Sequence, residues 1–233
     1  MATNYNPKIV TDGLLMCLDA SNPKSYPGSG TTWYDLSGNG YNGTFVGTIS
    51  YTSGNGPNAL FDWAASQTTD YVKFDVNSLQ SLTDGFEWTI ETILRLDNAV
   101  NTTYFHSMAR AANNNHFIIQ KGAGNYFPFA ETLSNGTNST FSAGEIIHLT
   151  FKHSGSIQYY YKNGVYRAYY TNANDLSLTE GWVLNQEQDS VLGNFDPNQA
   201  TDMAVNLVRL YNRPLSDAEI TQNFEATRGR FGI

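Results

Sequence analysis

Cys17 is the only cysteine of the chain, so no disulfide can form within it and the fold must stand on packing and hydrogen bonds. Charge is scarce as well. Asp, Glu, Lys and Arg supply 15 % of the 233 residues, and the formal net charge is −8. With 13 basic residues against 21 acidic ones, the chain lacks the cationic surface that releases counterions from a phosphate backbone, which argues against nucleic acid as a partner. No apolar run approaches the roughly 20 residues of a membrane-spanning helix. The opening Met1-Ala2-Thr3-Asn4-Tyr5-Asn6-Pro7 has neither the basic stretch nor the apolar run of a secretion signal, so a soluble protein made in the cytoplasm is expected. The histidines, His106, His116, His148 and His153, lie without metal-ligand spacing, and no Ser-His-Asp set, zinc motif or phosphate loop is present.

What the chain does have is aromatic residues, 14 % of the total, in runs punctuated by Gly, Asn, Ser and Thr. This is the composition of an all-β protein. Strand-like runs include Leu14–Leu18, Tyr71–Phe74, Phe86–Leu96, Phe127–Leu133, Glu145–His153 and Met203–Tyr211, enough for two packed antiparallel sheets in a single domain spanning residues 1–233. Alternation places Phe86, Trp88 and Ile90 on a packed face and Glu87, Thr89 and Glu91 toward solvent. Asn163-Gly164 supplies the positive φ angles of a tight hairpin turn between Ile157–Lys162 and Val165–Tyr170. A regular register pairs Tyr161 with Tyr166 and Tyr159 with Ala168 on a core face, leaving Tyr160, Arg167 and Tyr169 outward. Near the end, Leu215-Ser216-Asp217-Ala218-Glu219-Ile220 reads as a capping box opening one short helix, predicted over about 217–227 and covering a sheet edge.

Two segments carry a family resemblance. The first is Gly13-Leu14-Leu15-Met16-Cys17-Leu18-Asp19-Ala20-Ser21-Asn22 with Thr32-Trp33-Tyr34-Asp35-Leu36-Ser37-Gly38-Asn39-Gly40; the second is Leu207-Val208-Arg209-Leu210-Tyr211-Asn212-Arg213-Pro214-Leu215-Ser216, followed by Gly229-Arg230-Phe231-Gly232-Ile233. Together they resemble the concanavalin-A-like lectin/glucanase superfamily, and within it the laminin-G-like jelly-roll modules of phage virion proteins. The resemblance implies a two-sheet β-sandwich and a non-enzymatic structural or decoration protein, bound to capsid or tail proteins of the virion and homo-oligomeric on the particle. Binding of host-surface carbohydrate would accompany that role. A free-standing lectin-like module and a glycoside hydrolase are the alternatives, because this fold hosts all three.

Three candidate sites follow. Hydrolases of the superfamily carry paired carboxylates on one strand face; Glu87 and Glu91 share a face here, but Thr89 stands where the assisting Asp would be, and no catalytic residue is assigned. The Asp35-Leu36-Ser37-Gly38-Asn39-Gly40-Tyr41-Asn42 segment resembles a calcium-holding loop of laminin-G-like modules, which implies Asp35, Asn39 and Asn42 as metal ligands; the alternative is a set of Asx turns without an ion. Tyr160, Arg167 and Tyr169 form a carbohydrate or partner surface on which sugar C–H faces would stack.

Overall fold

The structure, a computed structural model, describes residues 7–53, 59–63, 69–74, 87–97, 103–110, 113–121, 142–171, 181–186, 188, 190, 192–193, 195 and 202–233. The run Phe127–Leu133 lies outside the described residues. Its strands are β1 (Leu14–Asp19), β2 (Thr32–Trp33), β3 (Gly43–Val46), β4 (Ser50–Thr52), β5 (Leu60–Trp63), β6 (Tyr71–Phe74), β7 (Trp88–Leu96), β8 (Thr103–Arg110), β9 (Asn113–Lys121), β10 (Ile146–Ser154), β11 (Ile157–Lys162), β12 (Val165–Thr171), β13 (Trp182–Leu184) and β14 (Met203–Tyr211). They form two antiparallel sheets. The larger, of eight strands, runs β12-β11-β10-β7-β14-β5-β4 with β1 also on β14; the smaller, of six, runs β2-β3-β6-β13-β8-β9.

β14 serves two neighbours on one side because each pairs with a different part of its length. Its first residues, Met203 to Val205, pair with β5, and Leu207 to Tyr211 pair with β1. Asn206 marks the irregularity between them and is buried, its side-chain amide donating to the Ser21 hydroxyl and the Ala59 carbonyl. The amide thus ties together the segments after β1 and before β5, where the two partners of β14 meet.

The inter-sheet core is aromatic. All four tryptophans, Trp33, Trp63, Trp88 and Trp182, are buried in it. Phe61 lies at the centre of a ring cluster, 4.4 Å from Phe45 and 4.8 Å from both Trp33 and Tyr26, in the edge and tilted geometries that the ring quadrupoles favour. His106 belongs to this core as well. The Trp182 indole donates to Nδ1 at 3.2 Å and Nε2 meets the Thr92 hydroxyl at 2.8 Å, while burial pushes the imidazole down to about 3. It is a neutral strut between the sheets.

Helix α1 (Asp217–Phe231) is longer than the sequence suggests and lies elsewhere. The predicted end at about 227 fails because Gly229 keeps a helical backbone; termination falls to Gly232, whose left-handed φ of 69° lets its N–H reach the Arg228 carbonyl. The helix covers the outer face of the larger sheet and not an edge: Ile220 packs with Tyr161 and Tyr211, and Phe231 with Ile93 and Leu207. The second face of β7 is therefore buried, and the predicted solvent exposure of Thr89 and Glu91 is wrong. Glu87, before the strand, is exposed and accepts from Gly155.

The capping box is present as read. Ser216 and Glu219 cap one another, and Glu219 also accepts from both Nη atoms of Arg213 at 2.9 and 2.6 Å. The Arg213 bond first, and the Ser216 bonds after it, hold the Glu219 carboxyl at about 2, below its ordinary 4.5. A carboxylate with a depressed folded pKa stabilises above the unfolded pKa and loses that contribution as pH falls through the folded one. Unfolding of the protein should thus show a stability loss between about pH 4.5 and 2 that Glu219→Gln removes, with about 1 kcal/mol lost at neutral pH. Urea melts at stepped pH check this, and an unchanged acid limb in the variant would contradict it.

Candidate functional site

Two features of the outer face of the larger sheet decide what it can do. The first is Glu91, fully buried beneath α1. Arg209 Nη1 donates to Oε2 at 3.1 Å, the Asn223 amide donates to both carboxylate oxygens at 3.1 Å, and His148 Nε2 lies 3.5 Å from Oε1. Burial would push this carboxyl up, but His148, Arg209 and Asn223 together hold it below its ordinary range. It is an ionised strut closed off from solvent. The pairing of Glu87 and Glu91 considered from the sequence does not exist as a cleft: one carboxylate is exposed and engaged with the β10–β11 turn, the other lies under a helix. Thr89, between them, links the last strand to the helix, donating to the Arg213 carbonyl and accepting from the Leu215 N–H.

The second feature is the β11–β12 hairpin. Asn163 and Gly164 take φ of 53° and 72°, the mirror-image turn expected. A Cβ on Gly164 would sit 3.0 Å from Phe224, so glycine also lets the turn pack on the helix. A bulge then changes the register. Tyr161 pairs with Tyr166, but Tyr160 pairs with Ala168 and Tyr159 with Tyr169, leaving Arg167 as the extra residue. Tyr160, expected outward, is a core residue stacked on Phe151 at 5.2 Å. The reason is that α1 and Lys152 give the odd-numbered face its cover, whereas the even-numbered face meets the opposing sheet. Tyr169 and Arg167 are exposed as expected.

The face that the hairpin presents is therefore Tyr159, Tyr161, Tyr166 and Tyr169. Tyr161 and Tyr166 meet edge-to-face at 5.7 Å. Lys152 Nζ lies 5.1 Å from the ring centroids of Tyr159 and Tyr161 while bonding Asp217 at 2.8 Å. Asp217 also accepts from the Tyr161 hydroxyl at 2.6 Å; burial and that bond push this phenol up. Tyr166 and Tyr169 remain 45 % and 42 % exposed beside Val165 at 54 %. Sequence reasoning missed Tyr159 and Tyr166 because it took the odd-numbered face of β11 for the core; the bulge accounts only for Tyr169 joining that face.

The Asp35 loop is hydrogen-bonded throughout. Oδ1 accepts from the N–H groups of Cys17 and Ser37 at 2.8 and 2.9 Å, and Oδ2 from the Ser37 hydroxyl, Gly40 and Tyr41 at 2.6, 3.0 and 3.2 Å. Asn42 Oδ1 accepts from the Asp35 N–H, and Asn39 turns its amide donors to the Leu14 and Leu15 carbonyls. A calcium ion needs six to eight oxygens with free lone pairs. These residues do not fit one: the two oxygens of Asp35 already accept five hydrogen bonds, Asn42 Oδ1 is turned to the Asp35 N–H, and Asn39 turns its nitrogen to the Leu14 and Leu15 carbonyls. Among the described residues no group of three or more His, Cys, Asp or Glu is placed to hold a metal.

A family model described as the concanavalin A-like lectin/glucanases superfamily (Laminin_G_3) matches residues 66–221. The chain belongs to this superfamily. No curated protein sequence matches it. Solved structures share the fold at low identity. Trypanosoma rangeli sialidase, in complex with 2,3-difluorosialic acid, superposes with a TM-score of 0.67 at 14 % identity, covering 100 % of this chain and 36 % of the sialidase. The binding domain of Paraclostridial Mosquitocidal Protein 1 gives 0.63 at 14 % identity, over 92 % of this chain and 52 % of that one. The binding domain of botulinum neurotoxin DC, in complex with SialylT, gives 0.62 at 12 %, over 93 % and 52 %. The chain thus spans about a third of the sialidase and about half of each toxin domain.

Loss of the Asp35 acceptor leaves several loop N–H groups unpaired, so Asp35→Ala should cost about 2–3 kcal/mol. Chelation with EDTA should leave the melting temperature of the natural chain unchanged. A calorimetric scan in which EDTA lowers that temperature, and calcium restores it, would contradict the misfit.

Proposed function

We propose that this lectin-like jelly roll is a non-enzymatic recognition module that binds carbohydrate through the tyrosine face of the β11–β12 hairpin and is carried on a phage particle as a structural or decoration subunit. The observation that carries the reading is the hairpin itself: of the four large hydrophobic side chains most exposed among the described residues, three are Val165, Tyr166 and Tyr169. Phenol rings with an apolar body and a polar tip stack on sugar C–H faces and bond their hydroxyls. Lys152 and Asp217 beside them supply a donor and an acceptor. Two of the fold relatives are binding domains, one of them in complex with SialylT, which supports recognition as the kind of task this fold performs.

The non-enzymatic reading is supported by Glu91, whose carboxylate is committed to Arg209 and Asn223 beneath the helix. The virion setting is supported by the resemblance of the Trp33–Gly40 and Tyr211–Ser216 segments to phage modules. A lectin surface on a symmetric particle gains strength by avidity, so weak single-site contacts suffice.

Two measurements test this. On a glycan array, Tyr166→Ala and Tyr169→Ala should weaken binding by about tenfold, since each removes one stacking ring. Their melting temperatures should stay near that of the natural chain, whereas Tyr160→Ala should lose about 3–5 kcal/mol of stability as a core truncation. Binding untouched by both surface variants would overturn the assignment of the face. Peptide mass spectrometry of gradient-purified particles should find the chain at a fixed ratio to the shell protein; absence from particles would leave a free-standing lectin.

A further inference from the structure

The tyrosine face carries a charge preference, an inference that rests on the reading of that face as the glycan site. Asp217 opens α1 beside the hairpin, with its side chain 72 % exposed. Its Oδ1 accepts from both the Lys152 ammonium at 2.8 Å and the Tyr161 hydroxyl at 2.6 Å, and among the described residues nothing donates to Oδ2. Lys152 lies behind this carboxylate, its side chain 11 % exposed and its Nζ also bonded to the Leu215 carbonyl at 3.1 Å. The ion pair is therefore oriented, with the ammonium turned into the protein and the carboxylate turned to solvent.

Around that carboxylate the phenol groups converge. Tyr161 meets Asp217 through its hydroxyl and Tyr166 through its ring. The Tyr166 phenol is pushed up, first by partial burial and then by Tyr169, Tyr159 and Asp217, whose oxygens lie close enough to resist its ionisation. Surroundings that resist a further negative charge attract a positive one for the same reason. The rings add to this effect. Their faces carry the negative lobe of the ring quadrupole, and Tyr159 and Tyr161 already hold the Lys152 ammonium 5.1 Å from their centroids. Tyr166 and Tyr169, both exposed, offer the same chemistry to a ligand. Arg167, the one charged residue of β12, is not free to fill that role, having a partner of its own.

We infer that the ligand of this face is an amino sugar with a free ammonium group, the sugar ring stacking on Tyr166 and Tyr169 and the ammonium bonding Asp217 Oδ2. An ammonium brings three donors and a charge to an oxygen-rich surface, and a charge-assisted hydrogen bond is about twice as strong as a neutral one. An acetylated amine offers one donor and no charge. An acidic sugar would set a second carboxylate against Asp217, on a chain of formal net charge −8. Asp217 stays ionised in mildly acidic solution, because the Lys152 bond first, and the Tyr161 bond after it, hold its carboxyl below the ordinary range.

Calorimetric titration of the intact chain with a glucosamine tetramer and with its N-acetylated counterpart, at about pH 5.5 where the free amine is protonated, compares the two groups on one skeleton. The free amine should bind about tenfold more tightly, and added salt should narrow the gap. Asp217→Asn should bring the two affinities together, with a melting curve run beside it to show that the helix remains seated. The comparison on the natural chain needs no variant, so it decides alone if Asp217→Asn unfolds. The proposal is overturned if the two tetramers bind equally, if the acetylated one binds more tightly, if neither binds at millimolar concentration, or if the preference survives in a folded Asp217→Asn. Equal binding that Tyr166→Ala weakens leaves the tyrosine face standing as a glycan site and removes only the charge class. A preference for the amine that Tyr166→Ala and Tyr169→Ala both leave intact overturns the face and the charge class together.

Discussion

A single buried carboxylate organises the outer half of this molecule. Glu91 lies in the central strand of the larger sheet, and an ionised group there is tolerable only when paired and fully hydrogen-bonded. Arg209 on the neighbouring strand supplies the charge, and Asn223 on the helix supplies the remaining donors. The same Asn223 accepts from the Val10 N–H at 2.7 Å and donates to the Tyr211 hydroxyl, which in turn donates to the Val10 carbonyl. One asparagine thus ties the helix, two central strands and the segment before β1. Removing the helix would strand an ion pair in half-apolar surroundings, and removing the carboxylate would strand an arginine.

This constraint fixes where the protein can meet a ligand. With α1 seated over β10, β7 and β14, the middle of the outer face is closed, and Tyr166 and Tyr169, on β12 beyond the helix, remain exposed. The junction between the two is rigid. Thr221 donates to the Gly164 carbonyl, Phe224 abuts the same glycine, and Asn163 exchanges bonds with His148 through both backbone and side chain. Tyr166 and Tyr169 are consequently presented on a hairpin held at its turn, which limits the ordering entropy that a ligand must overcome.

Much of the architecture was legible. Tyr71–Phe74 and Met203–Tyr211 are strands with the limits that alternation and turn residues gave them, and the Ser216–Glu219 box and the Asn163-Gly164 turn form as read. These are local signals, set by residues within a few positions of each other. What escaped was set by distant partners. Nothing within Trp88-Thr89-Ile90-Glu91 tells that a helix more than a hundred residues later covers its polar side, so Glu91 read as a solvated residue. The bulge at Arg167 has no glycine to announce it, and the choice of inward face between Tyr159 and Tyr160 turned on Lys152 and α1, which sequence periodicity does not contain. In the Asp35 loop, the residue types were compatible with both a cation and Asx turns; only the direction of the Asn39 amide and the donors around Asp35 distinguish them.

The most direct test of this account is hydrogen exchange, followed by mass spectrometry, on the natural chain and on Glu91→Gln. If the buried carboxylate holds the helix over the sheet, amides of α1 in the variant should exchange at least about tenfold faster as one group, together with the segment around Val10, while the inner strands β7 and β14 keep most of their protection. Helix protection unchanged by the substitution would contradict it, and would mean that apolar packing of Ile220 and Phe231 alone seats the helix.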